Sequence, residues 1–169
     1  TINSPVFLPD ICVIDPTLTL TVPPRVTMIT GLDALSHALE SFWNINHQPI
    51  TDLLAKEAAK HIFSNLSNAY NEGRELNSRI GMSYGALLAG LAFSQTRTAG
   101  CHAASYPLSM IFHLAHGEAC AFTLAGFIRL IAPVLKSRLE DSLIPGYSGE
   151  LKINMYNRGL RQVFKDGEL

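Results

Sequence analysis

Thr30-Gly31-Leu32-Asp33-Ala34-Leu35-Ser36-His37-Ala38-Leu39-Glu40 places Leu32, Leu35 and Leu39, followed by Phe42, on one apolar stripe of helical period. The spacing predicts a helix over residues 30–45, with Thr30 as its N-cap. Asp33 and His37 stand four residues apart in it, so a carboxylate oxygen and an imidazole nitrogen share one helical face. Two further histidines, His102 and His116, lie far downstream in segments poor in charge. One Asp and three His can ligate a divalent metal. Metal binding by Asp33, His37, His102 and His116 is the first functional expectation.

Outward from this helix the pattern stays helical. Asn46-His47-Gln48-Pro49 breaks it, and Thr51 then caps a second helix that turns Leu54, Ala58, His61, Ile62 and Leu66 inward and ends near Gly73. A third helix is expected over 74–93, where Gly81, Gly85 and Gly90 call for a close approach by a neighbouring helix or ligand, since each costs about 1 kcal/mol against alanine. Residues 98–112 and 117–135 read as two more helices, with Pro107 expected to kink or break the chain between His102 and His116. Residues 151–164 complete the set, with Met155, Leu160 and Val163 inward. Residues 1–27, rich in proline and β-branched types, read as short extended pieces and turns. The fold class expected is all-α: a short extended N-terminal segment over 1–27 and a multi-helix domain over 28–169.

Composition narrows the function classes. At 169 residues the chain suffices for one domain with a real core. Only 16% of residues are charged and 47% are apolar, so some surface is expected to meet another domain or a second subunit of a homo-oligomer. A net charge of -1 gives no attraction to nucleic acid or to anionic membrane. No apolar run reaches the roughly 20 residues of a membrane span. The cysteines, Cys12, Cys101 and Cys120, are odd in number and lack CxxC spacing, which favours a reducing, cytoplasmic compartment over a disulfide framework or zinc ribbon. The first residue is Thr1 rather than Met, which points to a processed chain or a fragment.

Several stretches together resemble the C-terminal, metal-binding helical domain of the iron-containing alcohol dehydrogenase family, whose fold is dehydroquinate synthase-like. They are Asp15-Pro16, Leu18-Thr19 and Pro23-Pro24, the quoted run from Thr30 to Glu40, and Thr51-Asp52 with Leu54-Ala55 and Ala58. The run from Leu88 to Ser94, His102 through Pro107-Leu108, and His116-Gly117 complete the pattern. The resemblance covers residues from about 10 to about 132. It implies the metal ligands Asp33, His37, His102 and His116, with Fe2+ expected and Zn2+ compatible with the same donors. It also implies a small alcohol or aldehyde substrate and an NAD(P)H cofactor held by a preceding dinucleotide-binding domain. No Gly-rich phosphate loop follows a strand in this sequence, so NAD(P)H binding is expected only with that other domain. Where the family commonly has a further histidine four positions after the third ligand, this sequence has Tyr106. A phenol of ordinary pKa donates a hydrogen bond more readily than it accepts a proton, so Tyr106 is the catalytic candidate for holding substrate, with His113 a partial substitute in proton transfer. The runs His102–Leu108 and His116–Cys120 are similar to the branch that reduces phosphonoacetaldehyde, for which Arg97 is the nearest cation in sequence.

Other readings stand beside this one. A helical metal-dependent hydrolase would use an adjacent His-Asp pair, and none of the six histidines is followed by Asp. A non-catalytic remnant that keeps its metal site is the third. His47 and His61 read as structural, Cys101 and Cys120 as packed core, and Met82, Met110 and Met155 as fillers between helices.

Overall fold

Adjacent prolines decide where the first helix starts. Pro24 occupies a position whose N–H has no intrahelical partner, and its fixed φ already suits a helix. In the computed structural model, which describes residues 4–135, α1 accordingly runs Pro24–Trp43. The start expected at Thr30 is therefore too late. Thr30 lies inside the helix and its hydroxyl donates to the Val26 carbonyl at 2.8 Å rather than capping an end. Helix α2 spans Pro49–Asn71, α3 Leu76–Thr96, α4 Gly100–Phe112 and α5 His116–Ile131. Thr51 sits in the first turn of α2, where its hydroxyl accepts from the backbone N–H of Gln48 at 2.8 Å. At the start of α3 the Glu75 carboxylate accepts from the N–H groups of Asn77 and Ser78, at 2.8 and 2.6 Å.

There is no strand among the described residues, in accord with the all-α expectation. The N-terminal segment forms two short 3₁₀ helices, Pro5–Phe7 and Pro16–Thr19, joined by irregular chain. Asp15 caps the start of the second by accepting from the N–H and hydroxyl of Thr17. Val6, Phe7, Leu8, Ile11 and Val13 each stand at least 67% exposed. The helix expected over 151–164, with Met155, lies outside the described residues.

Helices α1, α2 and α3 pack on one another, α4 and α5 form a hairpin, and α5 lies against α1. The predicted stripe of Leu32, Leu35, Leu39 and Phe42 is buried, facing Ala55, Ala58, Ala59 and Ile62 of α2. The small residues bring the helices close. A β-carbon on Gly85 would stand 2.8 Å from Ile62 Cγ1 and 3.2 Å from the Ala58 carbonyl oxygen, and one on Gly81 would strike the Asn65 side chain. Gly90 differs, with no described atom within 4 Å of the equivalent point. Close approach therefore accounts for two of the three glycines.

As expected, Pro107 sits within α4 and a break falls between His102 and His116; it comes after Phe112, where His113 takes up a left-handed conformation with φ 56°. A proline removes one backbone donor, but later turns carry the helix on to Phe112. One further expectation needs correction. Met110 is 77% exposed, so it fills no gap between the described helices, whereas Met82 does pack against the core. No described helix is long and apolar enough to cross a membrane.

Replacing Gly85 by Ala is expected to cost about 1–3 kcal/mol through overpacking. Gly90→Ala is expected to stabilise by about 1 kcal/mol through helix propensity. Urea unfolding of the two variants beside the parent chain checks both signs.

Candidate metal centre

Asp33, His37 and Glu40 occupy successive turns of α1, on the side that faces the beginnings of α4 and α5. The turn between α3 and α4 is pinned from the end of α1, where Asn44 Nδ2 donates to the carbonyls of Arg97 and Thr98 at 3.2 and 3.3 Å. Helix α4 starts at Gly100, and the preceding Ala99 has no side chain able to cap it. The cap comes instead from another helix. Glu40 Oε1 accepts from the backbone N–H of Cys101 at 2.5 Å and from that of His102 at 3.4 Å, while Oε2 contacts His102 Nδ1. His102 is thereby fixed in the first turn of α4. His116 opens α5, whose N-terminus is tied to α1 by the Arg25–Glu118 ion pair at 2.7 Å and by Gly117 against the Ile29 backbone.

These anchors bring one atom each from Asp33, His102, His116 and Cys120 within 4.8 Å of one another. Asp33 Oδ1 lies 3.5 Å from His102 Nε2 and 3.7 Å from His116 Nε2, and Cys120 Sγ lies 3.7 Å from His116 Nε2. Asp33 Oδ1 and His102 Nε2 are both buried and make no hydrogen bond. Two buried polar atoms that converge without a hydrogen bond are costly by themselves and suit a cation placed between them once Nε2 gives up its proton. One carboxylate with two imidazoles and a thiol is also a donor set that a divalent transition metal accepts. The residues therefore fit such an ion. The His116 side chain is 47% exposed, so the cluster opens to solvent on its side.

Charge couples the cluster. Burial opposes ionisation of Asp33, but His102, His37 and His116 outweigh it and hold its carboxyl below the usual value. Burial likewise opposes ionisation of Glu40, and is overcome by His102 and by the backbone N–H groups of Ala99 and Cys101. Burial works against a charged His102, yet the facing Asp33, the Cys120 thiol and Glu40 push it up to about 11. His37 moves the other way, lowered chiefly by burial in spite of Asp33. Burial raises the Cys101 thiol, and the neighbouring Glu40 carboxylate raises it further.

Of the residues singled out in the sequence, Asp33, His102 and His116 meet in the cluster. His37 lies beside it, its ring stacked between Phe93 at 4.2 Å and His102 at 4.5 Å between centroids. Tyr106 follows His102 by one turn of α4 and is 53% exposed, and His113 is exposed at the end of that helix. His47 pairs with Asp52 at 3.2 Å and His61 with Glu57 at 3.2 Å, both away from the cluster. Two residues were missed. Cys120 is buried as expected, but its thiol faces the Asp33, His102 and His116 side chains rather than apolar core alone. Glu40 stood in the quoted run with no role assigned, although its place seven residues after Asp33 puts it on the same helical face.

The sequence profile of the Fe-containing alcohol dehydrogenase family, C-terminal, matches residues 27–144. Long-chain-alcohol dehydrogenase 1 of Geobacillus thermodenitrificans is 46% identical over 135 residues, 80% of this chain and 34% of that protein. The 1-propanol dehydrogenase PduQ of Salmonella typhimurium is 41% identical over 126 residues, 75% of this chain and 34% of that protein. Among solved structures, sulfoacetaldehyde reductase from Bifidobacterium kashiwanohense in complex with NAD+ superposes with a TM-score of 0.68 at 45% identity, covering 69% of this chain and 31% of that one. The chain thus spans about a third of the length of the curated relatives it matches.

For the metal-free chain the shifts set a pH optimum of stability. His102, raised from 6.5 to about 11, contributes stability that is complete below pH 6.5 and is lost as pH rises towards 11. His37, lowered from 6.5, and the lowered carboxyls of Asp33 and Glu40 contribute stability that is lost as pH falls. The thermal midpoint, followed by circular dichroism without metal, is expected to peak near pH 6.5, and His102→Ala is expected to flatten its alkaline side.

Proposed function

The chain belongs to the Fe-containing alcohol dehydrogenase family, and on that premise we propose that it is the metal-holding helical part of an NAD(P)-dependent alcohol dehydrogenase or aldehyde reductase. The ligands in this reading are Asp33, His37, His102 and His116. The observation that carries it is the convergence of Asp33 Oδ1 and His102 Nε2, buried and without hydrogen bonds, beside His116 Nε2. A bound divalent metal, Fe2+ by family and Zn2+ by donor chemistry, supplies Lewis-acid polarisation of an alcohol or aldehyde oxygen for hydride exchange with nicotinamide.

The chain's own residues divide the work. Asp33 is the anionic donor, and the imidazoles leave the site with net positive charge towards a substrate oxygen. His37, four residues from Asp33 and stacked on His102, supplies the fourth donor, and the Cys120 thiol, grouped with the other three, competes for that place. The exposed side of His116 is the path for a small alcohol or aldehyde. Tyr106 donates its phenolic hydrogen bond to hold that substrate, one turn beyond His102.

The dinucleotide site belongs, in this reading, to the remainder of a longer cytoplasmic protein. The metal-binding domain, expected over 28–169, takes in α1 from its start at Pro24, and the segment before that helix leads into it. The exposed apolar residues Val6, Phe7, Leu8, Ile11 and Val13 support an interface with that remainder or with a second subunit. The family match does not favour the hydrolase reading.

Loaded and desalted anaerobically, the chain is expected to retain about one divalent metal ion. The double substitution His102→Ala with His116→Ala is expected to abolish that retention, and elemental analysis decides it; a double variant that keeps its metal overturns the ligand assignment. Calorimetry is expected to detect no NAD(P)H binding to the 169-residue chain alone.

A further inference from the structure

Helix α4 has no cap of its own. Its N-terminal donors, on Cys101 and His102, are met by Glu40 of α1, a side chain with 0% exposure. The same carboxylate contacts Nδ1 of the His102 ring, and across that ring Nε2 faces Asp33 without a hydrogen bond. An imidazole that donates Nδ1–H to a carboxylate keeps its Nε2 lone pair free for a metal, and the carboxylate raises the basicity of that nitrogen.

We propose that Glu40 is the positioning residue of the metal centre, fixing His102 in the Nδ1–H form with Nε2 directed at Asp33. The inference rests on the metal-site reading above and deepens it. Two features of the site require a carboxylate. Glu40 meets donors on both sides, the backbone N–H groups at one oxygen and the ring N–H at the other. An amide cannot serve both, because its NH2 would confront one of those donors. Glu40→Gln therefore either strips the cap from α4 or forces the proton on His102 to Nε2, and both outcomes weaken the metal site.

The test titrates the full 169-residue chain with Zn2+ against a chromophoric chelator, for the parent, Glu40→Gln, Glu40→Asp and His102→Ala. Glu40→Gln is expected to lose about 10- to 100-fold in affinity at unchanged helix content, and Glu40→Asp, which keeps both acceptor oxygens, to recover part of the loss. A folded Glu40→Gln that binds Zn2+ as tightly as the parent overturns the proposal. If Glu40→Gln does not fold, long-range proton–nitrogen NMR of the zinc-loaded parent decides. A slowly exchanging proton on His102 Nδ1 with a metal-bound Nε2 is expected, and zinc on Nδ1 overturns the proposal. His102→Ala separates the two levels of the account: if its affinity equals that of the parent, the metal-site reading fails and takes this inference with it.

Discussion

A carboxylate taken wholly out of water, Glu40 on α1, meets the unfinished start of α4 and the ring of His102 in one place. A buried charge of this kind is tolerable only where hydrogen bonds replace its lost hydration. Here the replacement comes from backbone donors that would otherwise be orphaned and from an imidazole that would otherwise be free to turn. Three requirements therefore share one solution: a cap for α4, a partner for Glu40 and a fixed orientation for His102. Removing Glu40 leaves both the α4 cap and the orientation of His102 unmet. That dependence ties the packing of α4 on α1 to the chemistry of the site.

The helical platform around this contact explains how residues so far apart in sequence converge. Gly81 and Gly85 let α3 pack closely on α2, and Gly31 lets Leu66 of α2 and Met82 of α3 approach α1, so the face bearing Asp33, His37 and Glu40 is held from behind. Asn44 at the end of α1 holds the turn before α4, and Arg25 near its beginning holds the start of α5 through Glu118. Each distant histidine thus enters on the first turn of a helix whose N-terminus is fastened to α1. A site built on helix starts is more sharply placed than one built on loops.

The stripe of Leu32, Leu35, Leu39 and Phe42 was legible in the sequence because its period is local, and with it came the face shared by Asp33 and His37. The remote pair His102 and His116 was legible by residue type and by resemblance. What escaped depended on contacts that local periodicity does not encode. Glu40 acts on a residue 62 positions away, and its burial has no signature beyond its place on the Asp33 face. Cys120 is a small, buried residue, and only the packing of α5 turns its thiol towards Asp33, His102 and His116. The α1 start at Pro24 escaped for a different reason, whereas the break after Phe112 fell where the sequence placed it. Thr30 carries a local capping signal, but the helix runs through it from the proline pair upstream.

The central claim is that α1, α4 and α5 together hold a divalent metal between Asp33 and the imidazoles. Anomalous diffraction from crystals of the chain loaded with Zn2+, collected on either side of the zinc absorption edge, reads this directly. The account predicts one strong anomalous peak bounded by Asp33, His37, His102 and His116, with Glu40 behind His102 and out of contact with the ion. A peak placed elsewhere, or no peak at this cluster in fully loaded protein, would contradict it.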